Sequence, residues 1–289
     1  MCGIVGYVGR RNACAILING LRRLEYRGYD SAGIAVVHNR QLRLLKNKGK
    51  VQDLADRVDA QWTEAFRAEA TCGIAHTRWA THGMPTEQNA HPHADQSGRI
   101  ALVHNGIIEN YAELRRELQA KGHRFLSETD TEVLAHLVGE FYEGRLLPAV
   151  CAALSRVEGA FGIAVVSSDS PDEIIAARRG SPLVTGLGEG ETILASDAAA
   201  IISHTRQVIY LDDDDVAIIT SGGAEIRNIH LERVCRGVAR LEGDAAAAEK
   251  GGYAHFMLKE IFEQPEAVRN AMRGRLDYDA GTAKFGGLN

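Results

Sequence analysis

Cys2 stands directly behind the initiator methionine, in Met1-Cys2-Gly3-Ile4-Val5-Gly6. Removal of Met1 puts two reactive groups on one α-carbon: a thiol, the strongest common side-chain nucleophile, and a free α-amine with a reference pKa near ~8. Such an amine can take the proton of its own side chain, which is the logic of an N-terminal nucleophile. The competing reading is a small buried cysteine opening a strand, because free cysteine is often buried. Position by itself favours that second reading.

Three polar clusters lie far from Cys2 in sequence. In His76-Thr-Arg-Trp-Ala-Thr-His82-Gly83, a strand is followed by a loop that carries Arg78, Trp79, Thr81 and His82. A guanidinium fork takes a carboxylate with two bonds, threonine adds a hydroxyl and tryptophan can form a lid. A solvated loop with a structural Trp is the alternative, but four side-chain types within five residues favour binding. In the second cluster an apolar strand, Ala101-Leu-Val-His104, meets Asn105-Gly106. Asn-Gly is a strong tight-turn signal, so a plain hairpin is the default. The functional alternative is an oxyanion hole made by the Asn105 amide and the Gly106 N–H. The third cluster, Ser127-Glu-Thr-Asp130-Thr-Glu132, opens a helix. Capping and the helix dipole account for it without a ligand, and capture of a substrate ammonium by Asp130 is equally open.

Weaker patterns read as structure. Asn89-Ala-His91-Pro-His93 lacks metal-ligand spacing and reads as a loop. The acidic run 212–215 reads as a solvated turn without calcium-loop spacing. Gly186-Leu-Gly-Glu-Gly190 reads as a hairpin turn rather than a phosphate loop.

The elements that must position these residues are short and β-rich. Strands are expected at 4–8, 33–37, 42–45, 73–75, 100–104, 162–167, 173–177, 192–195, 208–211 and 216–220. Helices are expected at 13–24, from Asn110 to Lys121 before Gly122, from Thr129 or Asp130 to Tyr142 before Gly144, and at 146–157. The strands do not alternate one-to-one with helices, which points to antiparallel sheets covered by helices, an α+β class, rather than a doubly wound parallel sheet. A polar stretch of small residues, 241–252, reads as a linker. A helix over 255–263 follows, with Pro265 expected to end or kink it, and the last dozen residues are expected to be mobile.

At 289 residues, with 45% hydrophobic and 25% charged, the composition is that of an ordinary globular chain. A formal charge of −5 and no basic run with interleaved aromatics argue against nucleic acid as a partner. No apolar stretch approaches a membrane span, and the N-terminus lacks a signal peptide's regions. Five scattered cysteines without a CxxC pair suit a reducing cytoplasm and give no zinc framework, so no metal is expected.

Taken together, these segments resemble a known family. Met1-Cys2-Gly3-Ile4-Val5-Gly6 resembles the start of the class II glutamine amidotransferases, which are N-terminal nucleophile hydrolases. Leu24-Glu-Tyr-Arg27-Gly-Tyr-Asp30-Ser-Ala-Gly33, the clusters at 76–83, 89–93, 103–111 and 128–132, Ser181-Pro-Leu183, Ala195-Ser-Asp197 and Lys259-Glu-Ile-Phe-Glu-Gln-Pro265 narrow it. They resemble the glutaminase half of the glucosamine-6-phosphate synthase family, over nearly the whole chain to about Met272.

The resemblance implies a four-layer αββα sandwich of two antiparallel sheets flanked by helices. It implies an amidotransferase domain over 2–240, the linker over 241–252, and the start of a truncated sugar-isomerase half over 253–289. Cys2 would be the nucleophile and its α-amine the base. Asn105 and Gly106 would form the oxyanion hole, with Arg27 shaping the nucleophile's surroundings. Arg78, with Thr81 and His82, would hold the glutamine α-carboxylate, Asp130 the α-ammonium, and Trp79 would sit on the closing loop. No cofactor is implied. L-glutamine is the implied substrate, fructose 6-phosphate a partner only through the missing half, and the longer enzyme a homo-oligomer. A relative with another acceptor, such as an amidophosphoribosyltransferase or asparagine synthetase, and a catalytically idle glutamine-binding module are the alternatives.

Overall fold

The computed structural model describes residues 2–80, 83–242, 252–272, 276–277 and 282–283. The chain divides into two compact units, 1–243 and 244–289.

The first unit holds two antiparallel sheets. One has eight strands, in the order β14-β11-β9-β10-β1-β4-β2-β3. These are β1 (Gly3–Val8), β2 (Ser31–His38), β3 (Gln41–Lys48), β4 (Cys72–Arg78), β9 (Val184–Gly188), β10 (Glu191–Ala195), β11 (Gln207–Tyr210) and β14 (Ala239–Arg240). The other has six, in the order β13-β12-β8-β7-β6-β5. Its members are β5 (His93–Ala94), β6 (Ile100–Ile108), β7 (Gly159–Ser167), β8 (Ser170–Arg179), β12 (Asp215–Thr220) and β13 (Gly223–Asn228).

The layering follows from side-chain alternation along the central strands. On β6, Ile100 and Leu102 pack with helices α4 (Tyr111–Ala120), α5 (Asp130–Glu140) and α6 (Leu146–Leu154), while Ala101 and Val103 pack between the sheets. On β1, Val5 and Tyr7 meet helices α1 (Ala13–Leu24), α2 (Val51–Gln61) and α3 (Glu64–Glu69), while Ile4 and Val8 join the inter-sheet core. Both faces of these strands are therefore apolar, as burial on two sides requires. The result is three stacked cores and the expected αββα sandwich. Leu17 and Leu21 of α1 and Leu102 of β6 are fully buried, each worth roughly 2 kcal/mol of transfer free energy.

Every expected strand is present, and α1 runs over the expected 13–24. Asn12 caps α1 by accepting the Ala15 N–H at 3.0 Å. Thr129, rather than Asp130, caps α5, its hydroxyl accepting the Glu132 N–H. Both α5 and α6 stop short of the expected ends, at Glu140 and Leu154. The polar helices α2 and α3 and the strands β5, β9, β13 and β14 were not expected, and of the expected turn 186–190 residues 186–188 belong to β9. The apolar positions of these elements are too few to give a clear period before the sandwich covers them.

Three readings are corrected. Asn105-Gly106 is not a hairpin turn: β6 continues to Ile108, pairing with β7 through Gly106↔Phe161 and Ile107↔Ala160. Gly106 takes φ +135, which diverts the strand without reversing it. The acidic turn 212–215 is not wholly solvated, since Asp215 is 1% exposed and takes two 2.8 Å bonds from Arg236. In the second unit Pro265 does not end the helix. Helix α7 (Phe256–Met272) runs through it at the loss of one backbone bond. That unit also pairs Leu276–Asp277 with Thr282–Ala283. The expected linker and mobile tail lie largely outside the described residues.

Candidate active site

Strands β1, β4 and β2 lie side by side, and Ile4 and Gly33 both pair with His76. Because Ile4 and Ile74 face the other sheet, the alternation of side chains turns Cys2, His76 and Arg78 the same way. On β6 the same parity aims Asn105 at the space between the sheets. These apolar rows thus end in polar residues at one mouth of the sandwich, and the candidate site is built there.

Cys2 is half-buried. The Trp79 N–H donates to its sulfur at 3.2 Å, and the thiol donates to the Trp79 carbonyl at 3.6 Å. Burial pushes the thiol pKa above its ordinary value, with the Trp79 N–H and Arg78 pulling the other way. A thiol in that state does not ionise unaided at neutral pH, so its use as a nucleophile calls for a nearby base.

Asn105 is 8% exposed. Its side chain is engaged at both ends: Oδ1 lies 2.9 Å from His76 Nε2, and Nδ2 donates to the Cys2 carbonyl at 3.4 Å. At Gly106 a Cβ would fall 2.0 Å from the Ala160 carbonyl oxygen, so only glycine fits.

Arg78 is buried, which lowers its pKa, while Asp30, Cys2 and Asp130 act to raise it. Those three are among its electrostatic neighbours. Its guanidinium reaches the Gly83 and Met84 carbonyls at 3.5 and 3.4 Å. Asp130, the first residue of α5, turns its carboxylate to β6 and accepts the Ile108 N–H at 2.9 Å. His104 Nδ1 stands 4.0 Å from it. With Thr129 doing the capping, Asp130 is left as a buried carboxylate facing the site.

Trp79 is 52% exposed, and its ring lies against Gly28, where a Cβ would fall 2.7 Å from ring carbon Cζ3. Arg27 donates to the Ser196 hydroxyl at 3.3 Å, and that hydroxyl accepts the Ile4 N–H at 3.0 Å. Arg27 therefore reaches the strand of Cys2 through Ser196. Thr81 and His82 lie outside the described residues.

Two further residues, Asp30 and Asn89, support the loop that follows β4. Asp30 accepts the Ala80 N–H at 2.6 Å, and its own N–H donates to the Arg78 carbonyl at 2.8 Å, which fixes the entry to the loop. Asn89 donates to the Met84 carbonyl at 3.0 Å and exchanges bonds of 3.1 and 3.2 Å with Glu128, tying the loop to the start of α5. Each sits in a dense polar segment of the sequence, the signal that would have found it. His91 and His93 are buried, with rings packed in series on His76. Among the described residues no group of three His, Cys, Asp or Glu is arranged to hold a metal ion.

A cavity of about 1000 Å³ opens beside this site, lined in part by Lys46, His93, Glu132 and His136. Its size does not make it the reaction centre, since Cys2, Arg78, Asn105 and Asp130 are not on its walls. Glu132 is occupied by the Leu126 and Ser127 N–H groups at 2.8 and 2.7 Å. No described helix is long and apolar enough to cross a membrane.

Known proteins resemble this chain in sequence and in fold. A family model for a glutamine amidotransferase domain matches residues 46–255. The glutamine–fructose-6-phosphate aminotransferase (isomerizing) of Chlorobaculum tepidum is 52% identical over 100% of this chain and 47% of its own length. The enzyme of the same name from Thermus thermophilus is 54% identical over 99% of this chain and 46% of its own. The chain thus spans a little under half the length of these relatives. Among solved structures, glutamine phosphoribosylpyrophosphate amidotransferase from B. subtilis matches with a TM-score of 0.67 and 26% identity, over 80% of this chain and 50% of that one. A glutamine aminotransferase class-II domain protein from Silicibacter pomeroyi shares the fold at a TM-score of 0.54 and 16% identity, over 79% of this chain and 99% of that one.

Proposed function

The chain belongs to the glutamine amidotransferase domain family, and from that premise we propose that it hydrolyses L-glutamine to glutamate and ammonia on Cys2. The observation that carries this reading is the meeting of a thiol, an amide donor, a buried guanidinium and a buried carboxylate at one mouth of the sandwich. An α-amino acid needs a cation for its carboxylate, an anion for its ammonium and a nucleophile at its side-chain amide.

With Met1 removed, the Cys2 α-amine takes the thiol proton and the sulfur attacks the amide carbon. The tetrahedral oxyanion is stabilised by the Asn105 amide and the Gly106 N–H. Collapse expels ammonia, with the proton returned to the leaving nitrogen, and leaves a γ-glutamyl thioester. Water then adds to the thioester, releasing glutamate and the free thiol. Arg78, with Thr81 and His82, holds the α-carboxylate, Asp130 holds the α-ammonium and Trp79 closes over the substrate. Arg27 braces the nucleophile strand. The reaction needs no cofactor.

Residues 2–240 form the amidotransferase domain, 241–252 a linker, and 253–289 the start of a second half. The relatives are named for an aminotransferase acting on glutamine and fructose 6-phosphate; in a longer enzyme carrying that second half, the ammonia would convert fructose 6-phosphate to glucosamine 6-phosphate, in the cytoplasm and in a homo-oligomer. High identity along the whole chain supports this acceptor over that of a phosphoribosyl amidotransferase.

The test is ammonia and glutamate release from glutamine by the purified chain, with loss of Met1 checked by mass. Activity that disappears in Cys2→Ala supports the assignment. Turnover near wild type in Cys2→Ala would sink it.

A further inference from the structure

His76 joins the two sheets of the sandwich. Its Nε2 lies 2.9 Å from Asn105 Oδ1, a bond from β4 across to β6. The ring is fully buried and packs on His91 with centroids 4.3 Å apart. Burial keeps the imidazole neutral, its pKa drawn down to about 3. A neutral imidazole carries one N–H and one lone pair, and which nitrogen has which decides how the neighbouring amide must sit.

With the hydrogen on Nε2, the ring donates to Oδ1 and the Asn105 NH2 group turns to Cys2, whose carbonyl is 3.4 Å from Nδ2. With the hydrogen on Nδ1, the bare Nε2 demands a donor. The Asn105 amide must then turn over and present its carbonyl oxygen to the nucleophile. The first arrangement stabilises a developing oxyanion; the second repels it. Because the Asn105 NH2 group donates to the Cys2 carbonyl, Oδ1 is the atom that faces Nε2, and an acceptor at 2.9 Å calls for the hydrogen on Nε2.

We infer that His76 is a positioning residue for the oxyanion hole, holding the Asn105 amide with its NH2 group toward Cys2 and so setting the polarity of the hole. Cys2, Asn105 and the Gly106 N–H do the chemistry; His76 acts through Asn105. The backbone of β6 fixes where Asn105 stands but not which way round its amide sits, since the two faces of an amide have nearly the same shape. Only a neighbour of fixed polarity can distinguish them. This role rests on the amide-hydrolysis reading, but its first test does not.

That test is a nitrogen NMR spectrum of histidine-labelled protein at neutral pH, with the His76 signal assigned by its loss in His76→Phe. A proton on Nε2 is expected. A proton on Nδ1 overturns the assignment, whatever the protein hydrolyses. The second test is kinetic. His76→Gln, whose amide nitrogen can stand where Nε2 stands, should keep kcat within about fivefold of wild type. His76→Phe and His76→Asn should each lower it roughly 10- to 100-fold with KM for glutamine changed less than about threefold. In an Asn105→Ala background, His76→Phe should cost no further activity beyond about twofold, because the group it orients is gone. Equal losses in both backgrounds, or an activity of His76→Gln as low as that of His76→Phe, would show that His76 only supports the fold and would overturn the role. Should His76→Phe not fold, the His76→Gln and His76→Asn pair decides. A wild-type chain that does not hydrolyse glutamine would remove the proposed function and leave the NMR result standing.

Discussion

On the β6 side of the site the polar groups are held by short bonds: Asn105 lies 2.9 Å from His76, and Asp130 takes the Ile108 N–H at 2.9 Å. The β4 side is looser in that it opens to solvent: Trp79 is 52% exposed, and the Arg78 guanidinium lies 3.4 and 3.5 Å from the Met84 and Gly83 carbonyls of the loop. The first wall is anchored in a strand paired along its length with β7 and in a capped helix, while the second leads into a loop. A wall whose dipoles are already aimed suits charge that develops during reaction, because nothing has to reorganise when it appears. A looser wall suits capture of a ligand that must enter and leave. The two sides should therefore separate in kinetics, one governing kcat and the other KM.

The largest effect that sharpens this contrast is expected on the β6 side. Asn105→Ala should lower kcat for glutamine by roughly 10²–10³-fold with little change in KM. An effect confined to KM would move Asn105 to substrate binding and dissolve the contrast. On the β4 side, Arg78→Lys replaces a two-pronged fork with a point charge and should raise KM roughly tenfold at nearly constant kcat. An unchanged KM would remove Arg78 from carboxylate binding.

The last effect concerns stability and is not confined to either wall. His76, His91, His93 and His104 are buried, and burial lowers the pKa of each, that of His76 to about 3; Asp130 partly opposes the shift at His104. Unfolded, these rings take up protons as pH falls through the ordinary value of 6.5, whereas the folded chain keeps them neutral. Stability should thus be complete above about pH 6.5 and fall as pH drops toward 3, by at most about 1.4 kcal/mol per pH unit for each ring. Denaturant midpoints at pH 7.5 and 5.5 check this. His76→Gln should flatten the slope, and an unchanged slope would mean that His76 is not held neutral by the fold.

Part of the architecture could be read from the order of elements: apolar strand runs that do not alternate one-to-one with helices pointed to antiparallel sheets covered by helices, while the four-layer sandwich was implied by the family resemblance. Cys2, Arg78, Asn105 and Asp130 were legible as residue types whose chemistry fits an amino acid amide. Three things were not. Asn105-Gly106 carries the same local signal whether it turns a hairpin or lets a strand run on, and only pairing with β7 distinguishes them. Thr129 and Asp130 are interchangeable as caps in sequence, and the difference lies in which of them β6 engages. His76 gave no local sign of its role, since a histidine inside a strand is consistent with many environments.

Sequence by itself determined the kinds of group present and the face of each strand they occupy. Both depend on residue identity and on a twofold period that needs no distant contact. Tertiary structure alone decided that these faces meet at one mouth of the sandwich. It also decided that His76 on one sheet bonds Asn105 on the other, and that Asp130 accepts the Ile108 N–H of β6 while Thr129 caps the helix. Those facts depend on the stacking and register of strands far apart in the chain, where one residue of slip would turn Cys2 or Asn105 away from the other.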